Sequence, residues 1–139
     1  MSLSDEAREF TDLLVEFTAA TDGAREAIAV SADGLLLASS AERDGVDVER
    51  FAAIVSGLTG LANGAAACVD YERVEQLVVE MSGGFLFVSA MGDGSVLGVL
   101  AERRSDVGQI GYEMTMLLNR AGRTLTPELV AELTNPVAA

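Results

Sequence analysis

The run "VEQLVVEMSGGFLFVSAMGDGSVLGVLA", residues 74–101, constrains this chain more than any other stretch. Its apolar segments, 74–81, 85–91 and 95–101, are separated only by "SGG" and "GDG". Turns that short bring the chain back alongside itself, so the segments are expected as antiparallel neighbours. "Phe85-Leu86-Phe87-Val88" is apolar on both parities, as is "Val96-Leu97-Gly98-Val99-Leu100". Strands of that kind must be covered on both faces. The 74–81 strand instead carries Glu75, Gln76 and Glu80 on both parities, which suits a sheet edge.

The rest of the chain supplies the cover. Residues 4–20 read as an amphipathic helix: Ser4 is a good N-cap, Asp5 and Glu6 suit the positive end of the helix dipole, and Phe10, Leu13, Leu14 and Phe17 recur at helical spacing. In "EAIAVSADGLLLASS", Ile28 and Val30 lie in one strand and Leu35 to Leu37 open another. Asp33-Gly34 between them is a hairpin signal, because both turn positions tolerate positive φ. A polar loop over 41–47 leads to Asp47, the expected N-cap of a second helix running to about Cys68. Ser105-Asp106 caps a third helix, which ends at Gly122. Thr126-Pro127 opens a short fourth near 127–133, and "TNPVAA" after it is expected to fray.

These elements predict an α+β fold: a three-layer α/β/α sandwich on a five-stranded sheet. The sheet is antiparallel apart from the crossover through the second helix. That helix covers one face, and the first and third cover the other. Residues 1–125 are expected to form a single domain, with 126–139 as a terminal helix and tail.

The second helix poses the main question, because it carries Gly57, Gly60 and Gly64 in its interior. Each costs a helix roughly 1 kcal/mol relative to Ala. On a helical wheel Val48, Phe51, Val55, Leu58, Ala62 and Val69 share one side, which must face the sheet. Ala53, Ser56, Gly57, Gly60 and Gly64 fall almost opposite, and Ile54, Leu61 and Cys68 lie on the flank between. The small side has no bulk to bury, and it lacks the charge of a solvated face. Three readings are open: another segment of this chain covers the glycines, they reflect drift toward small codons, or a second molecule packs there. Small residues at this spacing let backbones approach closely. With the other helices on the far face, the intermolecular reading is favoured. The 74–81 edge beside the helix suits a two-fold interface, although Glu75 and Glu80 could also serve as edge protection.

Composition narrows the chemistry. The chain of 139 residues has a formal net charge of −13, and all nine of its cations are Arg. That acidity argues against nucleic acid or an anionic membrane as direct partners. Without Lys there is no P-loop lysine or Schiff base. Without His there is no imidazole base, phospho-accepting histidine or histidine metal ligand. Cys68 stands alone, reads first as a small core hydrophobe and excludes an intrachain disulfide. Arg in place of Lys fits a GC-rich bacterial genome. No charged leader precedes an apolar run, and Gly, Ser, Thr and Asn are expected to break the second helix before it gives an 18-residue apolar span. A soluble cytoplasmic protein is therefore expected.

Together these pieces resemble the roadblock/dynein light chain family. The resembling residues are "EFTDLLVEF", "GAREAIAVSADGLLLASS", the three-strand run, and "DVGQIGYEMTMLLNRAG", over about residues 5–122. The resemblance implies a roadblock-like, profilin-like sandwich that forms a homodimer with one continuous ten-stranded sheet and regulates or scaffolds partners. Bacterial members typically pair with a small Ras-like GTPase, and some occur with sensor-kinase-like proteins. On this reading Ile54, Gly57, Leu61, Cys68, Val74, Gln76 and Val78 form the dimer interface, while Arg50, Ala53, Ser56, Gly60 and Gly64 receive the partner. No cofactor, metal or catalytic residue is expected.

A GTPase regulator acts either through an inserted Arg or by reorienting the GTPase's own residues. The candidate arginines are Arg43, Arg50, Arg103 and Arg104, and reorientation is the favoured route. A small-molecule-sensing module is the alternative, and a co-purified metabolite would favour it. Asp33 and Asp93 are the only tempting catalytic carboxylates, but both sit in Asp-Gly turns, where Asp is expected for conformational reasons.

Overall fold

The computed structural model describes residues 5–41, 47–92, 94–121 and 127–134. Its elements, in order, are α1 (Asp5–Ala20), β1 (Ala24–Val30), β2 (Leu36–Ser39), α2 (Val48–Cys68), β3 (Gln76–Met81), β4 (Gly84–Ala90), β5 (Val96–Glu102), α3 (Val107–Ala121) and α4 (Pro127–Thr134). The expected caps Ser4 and Thr126, the stop at Gly122 and the tail after Thr134 lie outside the described residues.

The sheet has five strands in the order β2-β1-β5-β4-β3. Every neighbouring pair is antiparallel. The crossover through α2 therefore adds no parallel pair, since it joins β2 and β3, which lie at opposite edges. β3 is an edge strand, as its charges on both parities predict. The β1–β2 turn differs from a two-residue hairpin. Ser31 N–H donates to the Leu35 carbonyl at 2.8 Å, Gly34 N–H to the Ser31 carbonyl at 3.0 Å, and Leu35 N–H to Ser31 Oγ at 3.1 Å. Of the two turn residues only Gly34 takes positive φ, +88°. The connection is thus a three-residue loop with glycine at its left-handed position, a common alternative.

Two apolar layers flank the sheet. On one face Phe10, Leu14 and Phe17 of α1 and Ile110, Met114 and Leu117 of α3 pack on Phe87, Leu97 and Val99. Leu129 and Leu133 of α4 are buried in the same cluster. On the other face Ala52 and Val55 of α2 pack on Ile28, Val30, Leu86, Val88 and Val96. The three-layer sandwich is present, with α2 on one side and α1 and α3 on the other.

The β4–β5 pairing has no spare room at Gly84. A Cβ there would collide with the Ala101 carbonyl oxygen, which belongs to rigid backbone. Gly84→Ala is therefore expected to cost about 1–3 kcal/mol, the usual penalty of overpacking, read as a lower urea midpoint at an unchanged slope.

Candidate partner-binding surface

α2 meets the sheet through a narrow stripe. Ala52, Val55 and Ala66 are buried, with Val48, Phe51 and Leu58 packed beside them. The stripe is turned toward the alanines relative to the expected wheel. Small Cβ groups let the helix settle over Gly98, where an added Cβ would stand 3.7 Å from Val55 Cγ2. Val69, expected on the sheet side, is instead the C-cap and is exposed.

The opposite surface is open. Nothing in the described chain lies within 4 Å of a Cβ built on Gly57, Gly60 or Gly64. That removes the first of the three readings, packing of the glycines against another described segment. Leu61 is 78% exposed and Ile54 is 50% exposed. Arg50, Ala53 and Cys68 are exposed too, so Cys68 is not a core residue. Ser56 departs from the expected outward face: it is half-buried beside the β1–β2 turn, its Oγ 3.3 Å from a Cβ placed on Gly34. The cleft lined by Ser31, Ser56, Thr59 and Asn63 holds about 180 Å³, below the ~300–1,000 Å³ usual for small-molecule sites.

By length and composition α2 is apolar enough to cross a membrane, which corrects the expectation that its Gly, Ser, Thr and Asn would prevent this. Gly, Ser and Thr are nearly neutral in hydropathy, and the single strongly polar Asn63 does not cancel its Leu, Ile, Val and Ala. Only 17% of that window is buried. A helix that is apolar on its sheet-facing side and also on its outer side lacks cover.

The segment after α2 exposes an aromatic residue, Tyr71. Asp70 and Glu72 take φ of 61° and 73°, a region where non-glycine residues carry strain and which clusters at functional sites. Tyr71 between them is 77% exposed, and its N–H is fixed to the Ala66 carbonyl at 2.9 Å. Rigid, outward tyrosines are enriched at interfaces. The available signal was an aromatic residue in the acidic "Asp70-Tyr71-Glu72" directly after an uncovered helix.

The edge strand completes the surface. Val74 precedes β3 rather than lying in it, and its N–H donates to Asn63 Oδ1 at 2.7 Å. It has no N–H to offer a second strand, which corrects its placement on the pairing edge. The Glu75 carbonyl accepts from Ala90 N–H at 3.0 Å. Because bonding alternates along an antiparallel strand, Gln76, Val78 and Glu80 turn their peptide groups to the open edge. Gln76 and Val78 thus lie on the open edge of the sheet, and Glu80 joins them.

The arginines are mostly engaged. Arg103 donates to Glu80 Oε2 at 2.6 Å and lies 5.6 Å from the centre of the Phe85 ring. Arg104 bonds Asp22 at 3.0 Å and Glu102 at 2.7 Å. Its hydrogen bonds, and then its charge, hold the Asp22 carboxyl below the usual carboxylate range. That contribution is complete above the unfolded carboxylate pKa and is lost as pH falls through the lowered folded value. Both groups are exposed, so it is small. Arg50 extends from the first turn of α2, where Asp47 Oδ1 accepts its backbone N–H at 3.1 Å. Arg43 and Asp93 lie outside the described residues, and Asp33 is exposed in its turn.

The family model described as Roadblock/LC7 domain matches residues 10–101. The chain belongs to the Roadblock/LC7 family. The matched span runs from α1 to β5, so it contains α2 and the edge strand and leaves α3 and α4 beyond it. A solved Roadblock/LC7 domain from Streptomyces avermitilis is 34% identical, covering 80% of this chain and 92% of that one, with a TM-score of 0.74. MglB of Myxococcus xanthus is 16% identical over 83% of this chain and 93% of its own, with a TM-score of 0.77. An MglB described as having a tetrameric arrangement is 16% identical over 89% and 93%, with a TM-score of 0.79. At that identity the two MglB structures show the shared fold. A search of curated proteins gave no match.

Proposed function

We propose that this Roadblock/LC7 chain is a homodimeric, non-enzymatic regulator or scaffold of a small Ras-like GTPase in a bacterial signalling system. The observation that carries the reading is the uncovered outer surface of α2, where Leu61 is 78% exposed and no described atom approaches a Cβ on Gly57, Gly60 or Gly64. A contiguous apolar surface of this kind marks an interaction site. Family membership supplies its expected occupants, a second copy and a GTPase, and the MglB neighbours support both oligomerisation and a GTPase partner. Ile54, Leu61, Cys68 and the Gln76–Val78 edge face the second copy, while Ala53, Gly60 and Gly64, with Arg50 at one end, face the GTPase. Activation, where it occurs, reorients the GTPase's own residues. The protein works in the cytoplasm, recruited to membranes or to sensor-kinase-like proteins through its partners.

Light scattering tests the first half: the expected mass is twice the 14.5 kDa of one chain. Immobilised protein offered small GTPases from the same genome tests the second. Retention of one of them that depends on whether GTP or GDP is bound supports the reading. Equal indifference to every GTPase in both states overturns it.

A further inference from the structure

A glutamate on a sheet edge ordinarily guards it, because an unpaired charge there opposes the addition of another strand. In this chain the guard at Glu80 is disarmed. Gln76, Val78 and Glu80 share one face of β3, and Glu80 is directly opposite Phe85 of β4. Arg103, the first residue after β5, reaches back across that phenylalanine. Its guanidinium stands 5.6 Å from the centre of the Phe85 ring and donates to Glu80 Oε2 at 2.6 Å. The ring is held in turn against Phe87, with 5.9 Å between centres. The Glu80 carboxylate is therefore neutralised from within its own chain, over a packed aromatic floor, while its peptide group faces the open edge.

The same residues fix how a second copy fits. In the homodimer proposed above, on which this reading rests, two β3 edges related by a two-fold run antiparallel, and outward peptide groups bond only to outward peptide groups. The register centred on Val78 engages all of Gln76, Val78 and Glu80. It sets Val78 against Val78, Leu77 against Val79 and Glu80 against Gln76, so apolar meets apolar on both faces. Glu80 Oε1, which accepts from no described residue, then meets an amide donor. Sliding one step toward Gln76 sets Val79 against Glu75. Sliding one step the other way sets Glu80 against Val78, and a further step sets the two Glu80 carboxylates directly opposite each other, which is destabilising. We infer that Arg103 licenses β3 for pairing with β3 of a second copy, in the register that centres on Val78 and places Glu80 opposite Gln76. Arg103 acts as a positioning residue: it holds and neutralises the one carboxylate that would otherwise be lodged uncompensated in the joined sheet.

Light scattering first establishes the mass of the native protein; a monomer there is failure of the dimer reading and removes the inference with it. With the dimer intact, Arg103→Gln is expected to raise its dissociation constant at least about tenfold, since each dimer holds two copies of Glu80. Glu80→Gln alone is expected to keep the dimer, and added to Arg103→Gln it is expected to restore native association. A merely structural arginine would not be rescued in this way, because the second substitution rebuilds no ion pair. Cross-linking reads the register. In a Cys68→Ser background, Val78→Cys is expected to form a disulfide-linked dimer on air oxidation, because directly opposed residues of a bonded pair have Cα atoms ~5.5 Å apart, within disulfide reach. Glu80→Cys is expected to stay unlinked, its two copies lying four residues apart along the strands, roughly 14 Å. A dimer indifferent to Arg103→Gln, a loss that Glu80→Gln does not restore, or linkage through Glu80→Cys as complete as through Val78→Cys overturns the inference.

Discussion

Leu61→Asp is expected to convert the protein from dimer to monomer, read as a halving of mass by light scattering at micromolar concentration. Leu61 is 78% exposed in the single chain, so the substitution disturbs nothing in the fold. In a two-fold pairing of α2 helices it is desolvated, and symmetry places a second carboxylate on the facing helix. An unpaired buried charge costs roughly 3–5 kcal/mol, equivalent to a dissociation constant about 10²–10⁴-fold higher. Circular dichroism and melting temperature are expected to stay near those of an isolated folded chain. If the dimer persists, the two-fold does not run along this flank of α2. Pairing through the Gln76–Glu80 edge alone then becomes the remaining arrangement.

The architecture was legible because its signals are local. Two- and three-residue turns dictated antiparallel neighbours, and the double-parity apolar runs of β4 and β5 required two covering layers. Glu75, Gln76 and Glu80 marked the edge. What escaped depended on distances between elements. The roll of α2 on the sheet is set by contact between Val55 and Gly98, which no helical wheel contains, so Ser56 was expected further out and Val69 further in than they lie. Val74 was expected in the strand, because nothing local shows that Asn63 takes its N–H. Tyr71 went unremarked because its exposure depends on two left-handed residues, Asp70 and Glu72, that carry no glycine to announce them. The glycines of α2 were legible as an anomaly. Their openness within the chain became visible only with the structure.

Those glycines give the second large effect. Gly60→Leu is expected to leave the fold intact, since a Cβ at Gly60 meets nothing within 4 Å. It is expected to raise chain stability by roughly 0.6–0.9 kcal/mol, the difference in helix propensity, measured by urea unfolding of the monomeric Leu61→Asp background. In the otherwise native chain it should abolish one association, because a leucine side chain holds apart two backbones that the glycine lets approach. Which association fails identifies the occupant. Loss of the dimer puts Gly60 at the two-fold. A dimer of unchanged mass that no longer retains the GTPase puts it on the outward platform, and that is the expected result. In a side-by-side helix pair on one sheet, the surface opposite the sheet points away from the second copy, and Gly60 lies there with Ala53 and Gly64. A variant that keeps both associations would leave the codon-drift reading of the glycines as the survivor, with α2 engaging its partners only through Ile54, Leu61 and their neighbours.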